Sequence, residues 1–175
     1  LRICRTLAKR YPEALEDGGE PEDPFRGLVV TILSAQTTDR QVEETAPALF
    51  SRFPTPEALA RAPVEEVEEI VHPTGFFHVK ARHIVAASAT VVGDFGGKVP
   101  RTLGGLLALP GVGRKTANIV LARAFHLNEG IAVDTHVGRI SRRIGLSNET
   151  DPDRVERDLT ALYPRELWGT IKFLF

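Results

Sequence analysis

The sequence predicts an all-α protein, and three observations lead to that prediction. Apolar residues recur at helical spacing through most of the 175-residue chain. No segment shows the regular alternation of polar and apolar residues that a half-buried strand would have. Helix-capping signals precede several of the periodic segments, while glycine and proline separate them. We therefore expect about ten or eleven short helices, in one large or two small helical domains.

The helices are expected in the following order. An opening helix covers residues 1–11 and ends at Pro12, and an acidic Gly/Pro-rich segment at 16–24 forms a linker or loop. Thr38 and Gln41 match a capping box, with Asp39 as a competing N-cap. Helices outside the hairpin segment are expected at residues 25–35, 39–50, 56–61, 64–71, 77–92, 135–144, 152–162 and 164–175.

Two short helices joined by a Pro-Gly-Val-Gly turn are predicted at residues 102–124. Gly111 and Gly113 permit a positive φ and let a ligand come close to the backbone. The first amide groups of the second helix have no partner in their own helix and carry the positive end of its dipole. The turn therefore predicts a phosphate site that needs no side chain. The alternative is an ordinary αα-hairpin without a ligand.

Lys115 lies just inside the start of the second helix, where the helix dipole disfavours a cation. The same field, helped by burial, would favour the neutral amine with its free lone pair. A lysine in this position can contact phosphate, or it can act as a Schiff-base nucleophile. The spacing alone leaves both roles open.

Asp134 follows an apolar segment and directly precedes a helical pattern, so it can simply be an N-cap. A second role is geometrically possible. The second hairpin helix covers about 15 Å, and the segment from Phe125 to Val133 can span roughly 30 Å when extended. Asp134 can therefore return to the hairpin and face Lys115. There it would orient the lysine, accept its proton or stabilise a cation formed on a substrate.

The charge is unevenly distributed along a chain whose net charge is −1. Residues 1–100 carry 11 Lys/Arg against 15 Asp/Glu, residues 101–145 carry 7 against 2, and residues 146–175 carry 4 against 6. Because screening acts over about 8–10 Å, the local excess of positive charge around the hairpin matters more for phosphate binding than the total. A solvated basic helix face is the alternative.

Several classes of site and location are excluded or disfavoured. Cys4 is the only cysteine, which excludes disulfides within the chain and Cys-based metal sites within it, and we expect a reducing compartment. The five histidines lack metal-binding spacing, so no metal is assigned to them. No apolar run is long enough for a membrane span, and no signal-peptide pattern is present. Because the chain starts at Leu1, lacks methionine and ends on an apolar run, we expect a fragment.

Two further segments are candidates for nucleic-acid contact. Residues 34–39 lie at a helix–helix junction with side chains projecting outward, although turn and capping chemistry explains them equally well. Phe76 and Phe77 are adjacent in a turn, where one helix face cannot bury both. We expect Phe77 to belong to the core and Phe76 to be a wedge that unstacks bases.

Four segments together resemble the endonuclease III family: SAQTTD at 34–39, TGFFHVKA at 74–81, LPGVGRKTAN at 109–118 and AVDTHVGR at 132–139. They occur in the family's order and spacing, and the resemblance covers essentially the whole chain. The family comprises DNA glycosylases with an associated abasic-site lyase activity, within the helix-hairpin-helix superfamily. The resemblance implies base-excision repair of oxidised pyrimidines in duplex DNA, with cleavage of the abasic site by β-elimination. It also implies a monomer, located in the cytoplasm with the nucleoid if the chain is bacterial or archaeal.

The resemblance further implies a fold of two helical domains with the DNA cleft between them. A six-helix domain would cover 18–129 and contain the helix-hairpin-helix at about 102–124, and 1–17 would join 130–175 in the other domain. By motif match, Lys115 is the nucleophile and Asp134 the catalytic carboxylate. Gln36 fills the gap left by a flipped base, and Phe76 is the wedge. The remaining expected DNA-contact residues are Asp39, Gly111, Gly113, Arg114, Thr116 and His136.

The family normally carries a 4Fe-4S cluster on four cysteines near its C-terminus, and these ligands are absent here. The resemblance therefore leads us to expect that the native protein continues past Phe175 and carries them. It also implies that carbonyls of Leu107, Leu109 and Val112 hold a monovalent cation when DNA is bound. Some relatives have a carboxylate at the position of Leu107, a difference that bears on damage preference.

Two alternatives to this activity remain. The related adenine-mismatch glycosylase has no lysine at the position of Lys115, so the lysine argues against it. A non-catalytic DNA-binding module would keep the glycine hairpin but has no need of the pair formed by Lys115 and Asp134.

Overall fold

The computed structural model describes residues 2–12 and 23–175, and within them it contains helices and no strand, which confirms the all-α prediction. Most of the predicted acidic loop, residues 16–22, lies outside the described residues. No helix in the described ranges is long and apolar enough to cross a membrane. The α-helices are α1 (Arg2–Arg10), α2 (Pro24–Leu33), α3 (Asp39–Arg52), α4 (Pro56–Ala60), α5 (Val64–Val71), α6 (Phe77–Phe95), α7 (Leu103–Leu107), α8 (Arg114–Phe125), α9 (Thr135–Arg143), α10 (Pro152–Leu162) and α11 (Trp168–Leu174).

Most helix boundaries lie close to the predicted ones, and the differences have local causes. A 3-10 helix, Arg165–Leu167, precedes α11, so the predicted helix at 164–175 is divided. A second 3-10 helix, His72–Thr74, was not predicted. Helix α6 continues to Phe95 and ends at Gly96, which has the positive φ of 60° that suits glycine.

Side chains cap the N-terminus of many of these helices. Thr38 caps α3, and its capping box with Gln41 is formed, so Thr38 rather than Asp39 is the N-cap. Asp or Thr side chains also accept backbone N–H bonds at the starts of α2, α4, α7, α9 and α10. By contrast, α8 follows Gly113, which has no side chain to serve as a cap.

The chain forms two compact units. The second unit, residues 23–113, is built around α6, against which α2, α4 and α5 pack. The first unit contains α1 and residues 114–175, with α11 packed against α1 and α8. Each unit has an apolar core: Leu28, Leu49, Leu59, Val67 and Ile84 in the second, and Ile131, Val137, Val155, Leu159 and Ile171 in the first. The predicted domain boundary at residue 129 stays a prediction.

Candidate functional site

The turn before α8 is closed by a hydrogen bond from the Val112 N–H to the Leu109 carbonyl, at 3.1 Å. Gly111 in this turn has a φ of 76°. A Cβ atom on Gly111 would lie 2.6 Å from Cγ of His83, a residue of α6. A side chain at this position would therefore be strained and would also collide with the imidazole ring. Gly111 is required by the protein's own structure.

Gly113 is a glycine for a different reason. It is exposed, its φ lies outside the left-handed region, and a Cβ atom there would meet no described atom within 4 Å. Neither backbone strain nor internal packing therefore explains why residue 113 is a glycine. The missing side chain leaves the backbone at the start of α8 open to a ligand. Gly113 itself has no side chain to compete for the first amide groups of α8, which carry the positive end of the helix dipole.

Lys115 lies on the first turn of α8, and the structure places it at the surface. The expected burial of its amine is therefore wrong. The reason is that α8 is buried along its middle, from Ala117 to Leu121, whereas its first turn emerges from the core of the first unit. The lysine is thus accessible to a macromolecular substrate.

Asp134 is the N-cap of α9, as one interpretation of the sequence predicted. Its Oδ1 accepts hydrogen bonds from the N–H groups of His136, at 2.8 Å, and Val137, at 2.9 Å. The cap engages Oδ1 in both bonds, and the residue is half-buried. Capping does not exclude a chemical role, because a carboxylate has two oxygens and a full charge.

A buried network holds the segment before Asp134 beside α8. Asn118, on α8, approaches the Ile131 carbonyl with its Nδ2 at 3.5 Å. Oε1 of Glu156 accepts from both partners, from Asn118 Nδ2 at 2.9 Å and from the Ile131 N–H at 3.2 Å. Asn118 lies one turn beyond Lys115, so the chain passes α8 here shortly before it reaches Asp134. The pairing of Asp134 with Lys115 itself stays a prediction.

The same glutamate fixes Arg114, one of the expected DNA-contact residues. Oε2 of Glu156 accepts from Nε of Arg114, and this hydrogen bond is the main reason that the pKa of Arg114 is raised. Glu156 is 4% exposed on α10 and was not among the predicted site residues. Its position between Val155 and Leu159, in an otherwise apolar helical stripe, was the signal that could have identified it.

Gln36 and Phe76 both lie in the second unit, and both are exposed. Phe76 exposes 68% of its surface. Their φ angles are 52° and 48°, a left-handed conformation that costs a non-glycine residue on the order of 1–3 kcal/mol. Strained residues of this kind concentrate at functional sites. Phe77 is only half-buried, with its ring tilted against those of His72 and His78, so its predicted burial in the core is wrong.

The other expected DNA-contact residues lie at or near the surface. Asp39 is exposed on the first turn of α3, and Thr116 is half-buried on the first turn of α8. His136 is exposed, with its Nδ1 3.2 Å from a terminal nitrogen of Arg139. The monovalent cation at the hairpin stays a prediction.

The residues of this chain do not fit an iron–sulfur cluster. A 4Fe-4S cluster takes four thiolate ligands, and the sequence supplies only Cys4. That thiol is 2% exposed in the core of the first unit, beside Tyr163, whose pKa burial raises to about 12. No chemical step is therefore assigned to a cluster here.

Comparison with known proteins identifies the class first. Residues 29–165 match the model of the HhH-GPD superfamily base excision DNA repair protein, so the chain is a helix-hairpin-helix DNA repair protein. Endonuclease III of Synechocystis sp. is 50% identical over 166 residues, which cover 95% of this chain and 75% of that protein. Endonuclease III of Thermotoga maritima is 42% identical over 169 residues, covering 97% and 77% respectively.

A solved structure, a trapped endonuclease III–DNA covalent intermediate, matches with a TM-score of 0.91 and 36% identity, covering 99% of this chain and 81% of that chain. The chain belongs to the endonuclease III family, and it is an enzyme of base-excision repair, a DNA glycosylase with associated abasic-site lyase activity.

Proposed function

We propose that this enzyme removes oxidised pyrimidines from duplex DNA and cleaves the abasic site by β-elimination, through a Schiff base on Lys115. The observation that carries the proposal is the start of α8, where an exposed lysine lies on the first helical turn and the preceding residue, Gly113, has no side chain to cap the helix amides. These amides can donate hydrogen bonds to a DNA phosphate. The lysine can then attack the sugar adjacent to that phosphate. Membership of the endonuclease III family supports the choice of substrate.

The reaction begins when Lys115 Nζ, in its neutral form, attacks C1′ of the damaged nucleotide. The bond from C1′ to the base breaks, and the base leaves with the bonding electron pair and takes up a proton. Asp134 would accept the proton that the lysine loses and stabilise positive charge that develops on the sugar. The lone pair of the bonded lysine nitrogen then breaks the C1′–O4′ bond, O4′ takes up a proton, and the sugar ring opens to an imine. The imine acidifies the C2′ proton, whose loss breaks the C3′–O bond, expels the 3′ phosphate and cuts the strand 3′ to the lesion.

The base must leave the stack before Lys115 can reach C1′. We propose that Phe76 acts as the wedge between bases and that Gln36 fills the gap left by the flipped nucleotide. Their exposure and their left-handed backbone support this assignment, since the surrounding loops hold both side chains outward in a conformation that costs energy.

Borohydride trapping tests the proposed function, because it reduces a DNA imine to a stable covalent complex. We expect the protein to form this complex on a duplex containing thymine glycol and to cut the strand 3′ to the lesion. Base removal without a trapped complex would indicate a monofunctional glycosylase. Binding without either product would indicate a non-catalytic DNA-binding module. Each of these two results would contradict the proposal.

The two hairpin glycines provide a matched pair of substitutions. Gly113→Ala should leave the melting temperature nearly unchanged, because its Cβ atom meets open space, yet it should weaken DNA binding about tenfold by obstructing the approach of a phosphate. Gly111→Ala should lower the melting temperature, because of the positive φ and the collision with His83. Thermal melting and fluorescence anisotropy measure the two effects. Unchanged DNA affinity in the folded Gly113→Ala variant would contradict the phosphate site.

Removal of the wedge or the gap-filling side chain should affect base removal more than strand cleavage. Phe76→Ala and Gln36→Ala should each slow base excision about tenfold, since each side chain offsets part of an unstacking cost of a few kcal/mol. Cleavage at a pre-formed abasic site should fall less, because no base then needs to be flipped. Single-turnover rates on the two substrates measure the difference. If both rates fell equally, these residues would serve general binding or packing instead.

A further inference from the structure

Lys80 connects the two loops that carry Gln36 and Phe76. It lies on the first turn of α6 and is only 4% exposed. Its Nζ donates to Oγ1 of Thr37 and, at 2.7 Å, to the Thr74 carbonyl. Thr37 directly follows Gln36, and Thr74 lies two residues before Phe76. One ammonium group thus contacts both loops.

Other hydrogen bonds tie the same segments together. Oγ1 of Thr37 donates to the Thr74 carbonyl at 2.6 Å, and Nε2 of Gln41 donates to the Pro73 carbonyl at 3.0 Å. The backbone N–H of Lys80 bonds to the Phe76 carbonyl at 3.1 Å. This main-chain bond is an ordinary helical one that another residue here would also make, so the contribution specific to Lys80 is the link that its side chain forms between the two loops.

Stability alone does not explain a lysine at this position. The partners of its Nζ, a hydroxyl and a carbonyl, are neutral, and burial lowers the pKa of Lys80 because the charged form is desolvated. A buried ammonium with neutral partners costs stability relative to an apolar side chain of similar length. Without the lysine, the Thr37 hydroxyl would still donate its hydrogen bond to the Thr74 carbonyl. Because Lys80 lowers the stability of the fold, a role in the function of the protein explains its presence better than a role in stability.

We propose that Lys80 is a positioning residue that locks the Gln36 and Phe76 loops together, so that both strained side chains are presented to DNA as one unit. This inference rests on the proposed roles of Gln36 and Phe76. Residues in sparsely populated backbone conformations persist only where their surroundings over-determine them. The bonds made by Lys80 provide such a constraint at both loops.

The test is Lys80→Met, which keeps the length of the side chain and removes its donors and charge. The melting temperature should stay the same or rise, because the desolvation cost disappears. Amide hydrogen exchange at Thr37 and Gly75, whose N–H groups bond within the two loops, should become about tenfold faster. Base excision should slow about tenfold, and cleavage of a pre-formed abasic site should slow less.

A matched control uses Ser88, a buried residue of the same helix whose hydroxyl bonds to the Ile84 carbonyl within α6. Ser88→Ala should leave both the loop exchange and the ratio of the two rates unchanged. Thr37→Val removes the hydroxyl partner of Lys80 and keeps the side-chain shape. If the two residues act together, the double variant should be less impaired than the two single effects combined. If Lys80→Met folds poorly, Thr37→Val by itself tests the link, because it removes one of the two partners of Lys80 Nζ and should speed exchange at Gly75.

The outcomes separate this inference from the proposed function. Unchanged exchange at Thr37 and Gly75 in folded Lys80→Met, or additive effects in the cycle, would overturn the link. Faster exchange with an equal loss of base excision and abasic-site cleavage would show that Lys80 links the two loops structurally. It would contradict a role of that link in presenting Gln36 and Phe76 to DNA. Faster exchange with selective loss of base excision would support both.

Discussion

Lys115→Gln should abolish the borohydride-trapped complex and strand cleavage while damaged DNA still binds. Glutamine is polar and one atom shorter, and the lone pair of its amide nitrogen is delocalised into the carbonyl group and so is not available to attack C1′. Binding should fall by less than about tenfold, since one positive charge is lost from the proposed DNA-binding surface but the helix amides and hairpin glycines remain. Gel analysis of borohydride-treated reactions and anisotropy of the same duplex measure the two properties.

The control for this variant is Lys98→Gln, which removes the same charge from another exposed lysine. It should retain both the trapped complex and strand cleavage. A covalent complex that persists in Lys115→Gln would assign the Schiff base to another amine and overturn the central proposal. Loss of the complex in both variants would show an effect of charge rather than of the nucleophile.

Asp134→Asn should lower the rate of base excision by about 10²–10³, because a full charge aimed at developing positive charge is lost. The melting temperature should change little. The asparagine oxygen can accept the same two N–H bonds at the start of α9, and Asn caps helices about as well as Asp. Single-turnover excision and thermal melting distinguish the two roles of this residue.

Asp151→Asn is the matched control, because Asp151 caps α10 through a bond from the Arg154 N–H at 3.1 Å. The same chemical change at this second cap should leave excision near the normal rate. If Asp134→Asn instead lowered the melting temperature strongly, with near-normal turnover of the folded protein, capping would be its main role. A comparable loss of activity in Asp151→Asn would likewise argue against a specific charge effect.

The sequence by itself determined the features whose causes are local. Helical periodicity and capping residues predicted nearly all of the helices, including the capping box at Thr38, because these signals act within one or two turns. The glycine turn before α8 could also be predicted, since the glycines of residues 111–113 indicate a backbone geometry that other residues rarely adopt. The motif match then selected the family, which the comparisons confirm.

The tertiary structure alone decided burial and partners distant in sequence. Lys80 and Thr37 are 43 residues apart, and Arg114 and Glu156 are 42 apart, so no local pattern pairs them. Lys115 and Phe77 were expected to be buried, yet exposure depends on which neighbouring elements pack over a residue, and periodicity does not specify those neighbours. For the same reason, only the structure distinguishes the two hairpin glycines. His83 lies against Gly111 and leaves no room for a side chain there, whereas a Cβ atom at Gly113 would meet open space. Local propensity is encoded within a few residues, whereas packing and long-range hydrogen bonds arise only when the folded chain brings distant segments together.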